Sequence, residues 1–91
     1  MTEAEFRAEL AQHGVEPYLA EWVPGHFNPE HAHDFTARGF VIRGSFTLSH
    51  SGAEHPMPAG ADFRLAAGIL HTELAGPAGA TVLAGRLPAA S

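Results

Sequence analysis

The sequence predicts an all-β protein, a small antiparallel barrel or sandwich preceded by a short N-terminal α-helix. Ten glycines and seven prolines are spread along the 91 residues rather than clustered, the pattern of many short strands joined by turns. From Val15 onward, β-branched and aromatic runs recur at short intervals, the spacing of a small sandwich or barrel. Helix signals are confined to the N-terminal stretch.

That stretch begins with Thr2-Glu3-Ala4-Glu5, a capping box with Thr2 as N-cap and Glu5 closing back on it. Phe6 and Leu10 lie one turn apart on one face, and Gly14 stands where a C-terminal helix glycine belongs. A helix over residues 3–13 follows, lying against the body of the domain or a partner subunit. Tyr18 to Val23 is expected as the first strand, ended by Pro24-Gly25. His31 to Phe35 is short and extended. Phe40–Ile42 and Ser45–Ser49 flank Arg43-Gly44, expected as a tight connection with glycine at positive φ. Ser51-Gly52 is another turn. His55 to Pro58, with two prolines, suits an edge strand. Phe63–Leu65, Ile69–Leu74 and Thr81–Arg86 complete the set, with turns at 66–68 and 76–79. The expected division is a helical segment 1–14, a barrel 15–87 and a flexible tail 88–91.

Composition removes several function classes. The chain has no lysine, five scattered arginines and a net charge of −5. A protein without a basic patch is not expected to neutralise a phosphate backbone, so no nucleic-acid partner is expected. There is no long apolar run and no signal-peptide pattern, so no membrane partner is expected. Together with the absence of cysteine, this gives a cytoplasmic location as the expectation. A chain of this length buries a modest share of its surface, which leaves metal binding or oligomerisation as supports.

Seven histidines are many for this length, and the organising stretch is Gly25 to Gly44. In an extended strand His31 and His33 point the same way, placing two neutral nitrogen donors together as a divalent metal requires. His71, in GILHTEL, is the candidate third donor.

These residues also stand in a longer pattern. The chain resembles the cupin superfamily, whose first motif runs Gly-x5-His-x-His-x3–4-Glu-x6-Gly and second Gly-x5-Pro-x-Gly-x2-His-x3-Asn. Gly25, His31, His33 and Gly44 fit the first; Gly60, Gly68 and His71 fit the second. The resemblance covers about residues 18–86 and implies a jelly-roll barrel holding a metal. Three positions depart from it. Ala37 replaces the glutamate ligand, Ala66 the proline and Ala75 the asparagine. The expected site is therefore three imidazoles, His31, His33 and His71, on one divalent transition metal (Fe, Ni, Zn or Mn). The bland alternative is that the histidines are packed or hydrogen-bonded residues of a degenerate barrel. Without a carboxylate the ion stays more positive and favours an anionic ligand. Among cupins, a three-histidine set resembles that of some iron-dependent oxygenases.

Glu73 shares the face of His71 by strand parity, as a substitute ligand, a catalytic group or a group orienting an imidazole; a solvated Glu73 is the alternative. Ala37 and Gly39 leave space beside His33 for a ligand, unless Phe35, Phe40 or Phe46 fills it. Val41 and Arg43 continue that face, and Arg43 is a candidate for a substrate carboxylate, against a solvated role. Phe27, Phe63, Leu65, Val41 and Leu83 are expected inside the barrel. Tyr18 and Trp22, with Phe6, are expected in the core or at a dimer contact.

The expectation is a cupin that binds a metal and a small, anionic molecule. Metal-dependent oxygenase, isomerase or lyase chemistry is one reading. A non-catalytic ligand-binding or sensing module is another, and a purely structural metal a third. A homodimer is expected from the apolar surface that so small a barrel leaves uncovered.

Overall fold

The computed structural model describes residues 1–89. Helix α1 spans Glu3–Gln12 and begins with the expected capping box: Thr2 Oγ1 accepts from the Glu5 amide at 3.1 Å, and Glu5 Oε1 accepts from the Thr2 amide at 2.7 Å. Six strands follow: β1 Tyr18–Trp22, β2 Phe27–His31, β3 Thr36–His50, β4 Ala53–Pro58, β5 Asp62–Leu65 and β6 His71–Leu87. All pairings are antiparallel. Of the expected tail, Pro88 and Ala89 follow β6 without regular structure, and residues 90–91 lie outside the described ones.

Two long strands organise the barrel. The first half of β3 runs between β5 and the second half of β6, whose outer edge is taken by β1. The second half of β3 runs between β4 and the first half of β6, whose outer edge is taken by β2. The two halves face each other, with Phe46 of the second in edge contact with Trp22 and Phe63 of the first, at centroid distances of 5.1 and 5.5 Å. Val41, Phe46, Leu48, Leu65, Ala80 and Val82 fill the space between.

Three expectations are corrected here. Arg43-Gly44 and residues 76–79 are not hairpin turns. They are corners within the continuous strands β3 and β6, marked by register shifts after Val41 and after Gly44. Gly44 (φ +72°) and Gly79 (φ +74°) do take the left-handed conformation, but as bulges that bend a strand from one layer to the other. The extended segment at the first histidine pair ends at His31 instead of starting there, and residues 32–35 form an irregular link. The Ser51-Gly52 turn is as expected: both residues have positive φ, 54° and 77°, as a type I′ hairpin needs.

The first layer is covered on both faces. Its outer face packs against α1 through Phe6, Leu10, Phe40, Leu83 and Leu87. Leu83 is thus buried beneath the helix, not inside the barrel, because β6 positions 83 and 87 point opposite to 82, 84 and 86. Phe27 is 53% exposed on the outer face of the second layer. Arg38, buried on the helix side, donates to both carboxylate oxygens of Glu9 at 2.6 and 2.9 Å, to Asp62 at 3.1 Å and to the Phe63 carbonyl at 2.7 Å. A buried guanidinium needs such partners, and the cluster ties α1 to β3 and β5. The same pairing holds the Glu9 carboxyl below the usual carboxylate range, through its hydrogen bonds to Arg38.

Candidate metal centre

The register of β2 on β6 sets His31 directly opposite His71. Strand alternation does not bring in His33, since it lies in the link beyond β2. Its carbonyl accepts from the Gly68 amide at 2.9 Å, so the glycine of the turn before His71 pins the backbone that carries His33. The three rings converge at centroid distances of 4.2 Å (His31–His71), 4.9 Å (His33–His71) and 5.0 Å (His31–His33). One ring nitrogen from each falls within 4.8 Å of the other two.

The tautomers suit a cation. His31 Nδ1 lies 2.7 Å from the Pro29 carbonyl, and His71 Nδ1 lies 2.9 Å from the Ile69 carbonyl. A carbonyl only accepts, so both Nδ1 atoms carry the proton and both Nε2 atoms present lone pairs. This outer hydrogen bond is the usual device that orients a metal-ligating histidine. His71 Nε2 is buried and has no hydrogen-bond partner among the described residues. A buried acceptor without a partner costs about 1–3 kcal/mol, and a bound cation would satisfy it. His33 stacks on Phe35 with ring planes 7° apart. Its pKa is lowered, first by desolvation and then by His71, His31 and Arg86, which favours the neutral form that can ligate.

Glu73 faces His31. Its Oε1 lies 3.7 Å from His31 Nε2 and accepts from Asn28 Nδ2 at 3.2 Å, and the carboxylate is 12% exposed. Asn28 Oδ1 in turn lies 2.7 Å from His26 Nε2. Glu73 is therefore a held carboxylate at the edge of the three-nitrogen cluster.

A cavity of about 290 Å³ opens beside the histidines, near the small end of ligand sites, lined among others by His33, His71, Glu73, Ala37, Trp22 and Arg86. It exists because the inner face of the first layer carries Ala20, Ala37 and Ala84. Of the expected pocket residues, only Ala37 lines it. Gly39 is covered by the Phe63 ring, which packs where a Cβ would stand. Val41 is fully buried in the core. Arg43 points outward, its side chain 73% exposed and 4.0 Å from Glu21, because the register shift after Val41 reverses the parity that had placed it inside. Arg86 stands at the cavity instead, on the face of Val82 and Ala84. Parity along β6 could have singled it out, but 76–79 taken as a turn separated that strand from the histidines. Tyr18 and Trp22, expected in the core or at a dimer contact, also line the cavity, Trp22 while packing on the core, and so does Phe35, one of the residues expected to fill the space beside His33.

No family model matches the chain, and no curated protein matches it. Solved structures do. KdgF from Halomonas sp. aligns with 79% of this chain and 68% of its own, at a TM-score of 0.68 and 18% identity. A cupin 2 conserved barrel domain protein from Salinispora arenicola aligns with 84% and 65%, at 0.70 and 26%. A recombinant oxalate oxidase in complex with glycolate aligns with 84% and 43%, at 0.70 and 23%. The chain thus spans about two thirds of two of these and under half of the third. With both motifs in order along the chain and with these structural matches, the chain has the fold of a small cupin.

Proposed function

We propose that the protein binds one divalent transition metal through His31, His33 and His71, and that the ion and the adjoining cavity together bind a small anionic molecule. The observation that carries this reading is His71 Nε2, a buried lone pair without a partner, aimed at two other imidazoles. The ion would supply Lewis acidity or oxygen activation for oxygenase, isomerase or lyase chemistry. The chain's own residues orient it: the Pro29 and Ile69 carbonyls hold two tautomers, and Asn28 holds Glu73 against His31. The similar oxalate oxidase barrel is in complex with glycolate, a small carboxylate, and an anion of that kind suits this site. Glu73 is the sole carboxylate among the lining residues. If it only orients His31, the lining offers no other carboxylate to move a proton, and a binding module is the second reading. Turnover assays on the metal-loaded protein separate these two readings.

Two substitutions test the ligand set by chelator competition. Glu73→Ala should weaken metal binding by about 10–100-fold, the usual effect of removing a group that supports a ligand. Ala37→Glu should tighten it, because a carboxylate is restored where the motif places one. Unchanged affinity in both would remove the metal from this end of the barrel.

We also infer a homodimer. Leu19, Val23, Phe27, Leu70 and Leu74 are each 47–68% exposed on and beside the outer strands β1 and β2, apolar surface that a second copy would cover. Light scattering at tens of micromolar should give twice the chain mass; a monomer there refutes the inference.

A further inference from the structure

The cavity carries one cation whose setting the metal does not explain. Arg86 leaves β6 on the inner face, and its guanidinium carbon lies 4.6 Å from the centroid of Phe35 and 5.9 Å from that of Tyr18. Two aromatic faces hold a planar cation in one orientation while leaving its edge N–H groups open. Among the described residues no carboxylate pairs with Arg86. The contrast with Arg38 is informative: that guanidinium spends its donors on Glu9, Asp62 and a carbonyl. Among the described residues Arg86 has no such partner, and it stands at the cavity that Ala37, Ala84, Val82 and Trp22 line with apolar surface.

The register adds the second observation. Ala37 is the residue directly opposite Arg86 across β3 and β6. Facing side chains in an antiparallel pair have Cβ atoms about 4.5–5.5 Å apart. A glutamate at 37, where the motif has one, would stand within reach of Arg86 and neutralise it. The position that lacks the carboxylate and the guanidinium that has no carboxylate partner among the described residues are thus neighbours.

We propose that Arg86 is the anchor for a ligand carboxylate, and that Ala37 leaves both the space and the charge for it, so that the ligand brings the carboxylate this chain lacks. The substrate class is a compact monocarboxylic acid with a short apolar or flat body, its acid group toward Arg86 and its body against Trp22, Val82 and Ala84. This deepens the proposed function and rests on it only for what the ion does; the carboxylate anchor is a property of Arg86 and is measurable without metal.

Trp22 is the sole tryptophan and lines the cavity, so its fluorescence reports occupancy. The probes are benzoate and its neutral isostere benzamide, titrated into chelator-treated and zinc-loaded protein. Wild type should bind benzoate saturably, with a Kd of about 1 mM or lower, and at least about 10-fold more tightly than benzamide. Arg86→Met should lose about 10-fold for benzoate and little for benzamide, with Arg86→Lys between. Ala37→Glu should match Arg86→Met, while Ala37→Gln, equal in bulk but neutral, should lose less. Circular dichroism checks folding, and if Arg86→Met does not fold, Arg86→Lys and the Ala37 pair decide. No saturable benzoate response in wild type, equal benzoate and benzamide affinities, or Arg86 variants within about twofold of wild type each overturn the proposal. Failure of metal binding leaves the chelator-treated result standing, so the two readings fail separately.

Discussion

Replacing His71 with leucine should abolish stoichiometric binding of zinc while leaving the metal-free protein about as stable as before. His71 is 1% exposed, and in the metal-free chain its Nε2 has no partner. Leucine removes that unsatisfied acceptor, a gain of about 1–3 kcal/mol, and loses the Nδ1 bond to the Ile69 carbonyl, a loss of about 1 kcal/mol. With imperfect packing of the new side chain the two nearly cancel. Metal binding does not survive so well. Loss of a supporting group alone costs about 10–100-fold, and loss of a ligand from a set of three should exceed that. In wild type, zinc at about 1,000 times its Kd should add about 4 kcal/mol to stability; His71→Leu should lose this increment. Elemental analysis and paired melts, with and without zinc, measure both halves. Equal zinc content in wild type and variant would remove His71 from the ligand set. A strongly destabilised metal-free variant would mean that His71 is a packing residue.

The second large effect is expected at Gly44. Gly44→Ala should destabilise the fold by about 3 kcal/mol or more, a substantial share of the about 5–15 kcal/mol available to a typical domain. The left-handed conformation alone costs an L-residue about 1–2 kcal/mol. In addition, a Cβ at Gly44 would drive into the backbone carbonyl of Gly79, and no rotamer relieves a backbone overlap. Gly79 is itself closely set, since a Cβ on it would stand 2.5 Å from the Trp22 carbonyl oxygen. Gly52 is the control. It has φ +77° and nothing within 4 Å of an added Cβ, so Gly52→Ala should lose only the conformational part, about 1–2 kcal/mol. Urea midpoints of the two variants give the comparison. If Gly44 were an ordinary hairpin glycine, as sequence reasoning had it, the midpoints would coincide.

Local chemistry was legible because it acts over a few residues. The capping box at Thr2 and Glu5, the Ser51-Gly52 hairpin and the prolines of the β4 edge each follow from adjacent residue types, and each has the expected structure. So was the cluster of three imidazoles, since the two motifs carry His31, His33 and His71 in register. The amino-acid sequence by itself therefore determined an all-β cupin barrel with a helix at its start and three histidines as its candidate donors.

What tertiary structure decided lies beyond local signals. A glycine with positive φ serves a hairpin turn or a strand corner equally well. Only the partner strand distinguishes them, and Gly44 lies against Gly79 because β3 and β6 cross the barrel corner together. That crossing shifts the register after Val41, which sends Arg43 into solvent and makes simple alternation fail beyond it. The same alternation, uninterrupted at the end of β6, puts Arg86 beside the cavity and opposite Ala37. Burial obeys the same rule: α1 covers the outer face of one layer, so Leu83 and Arg38 are buried on the side that strand parity alone assigns to solvent. Strand pairing sets which face of a residue is inside, and pairing joins residues too far apart in the chain for local pattern to connect.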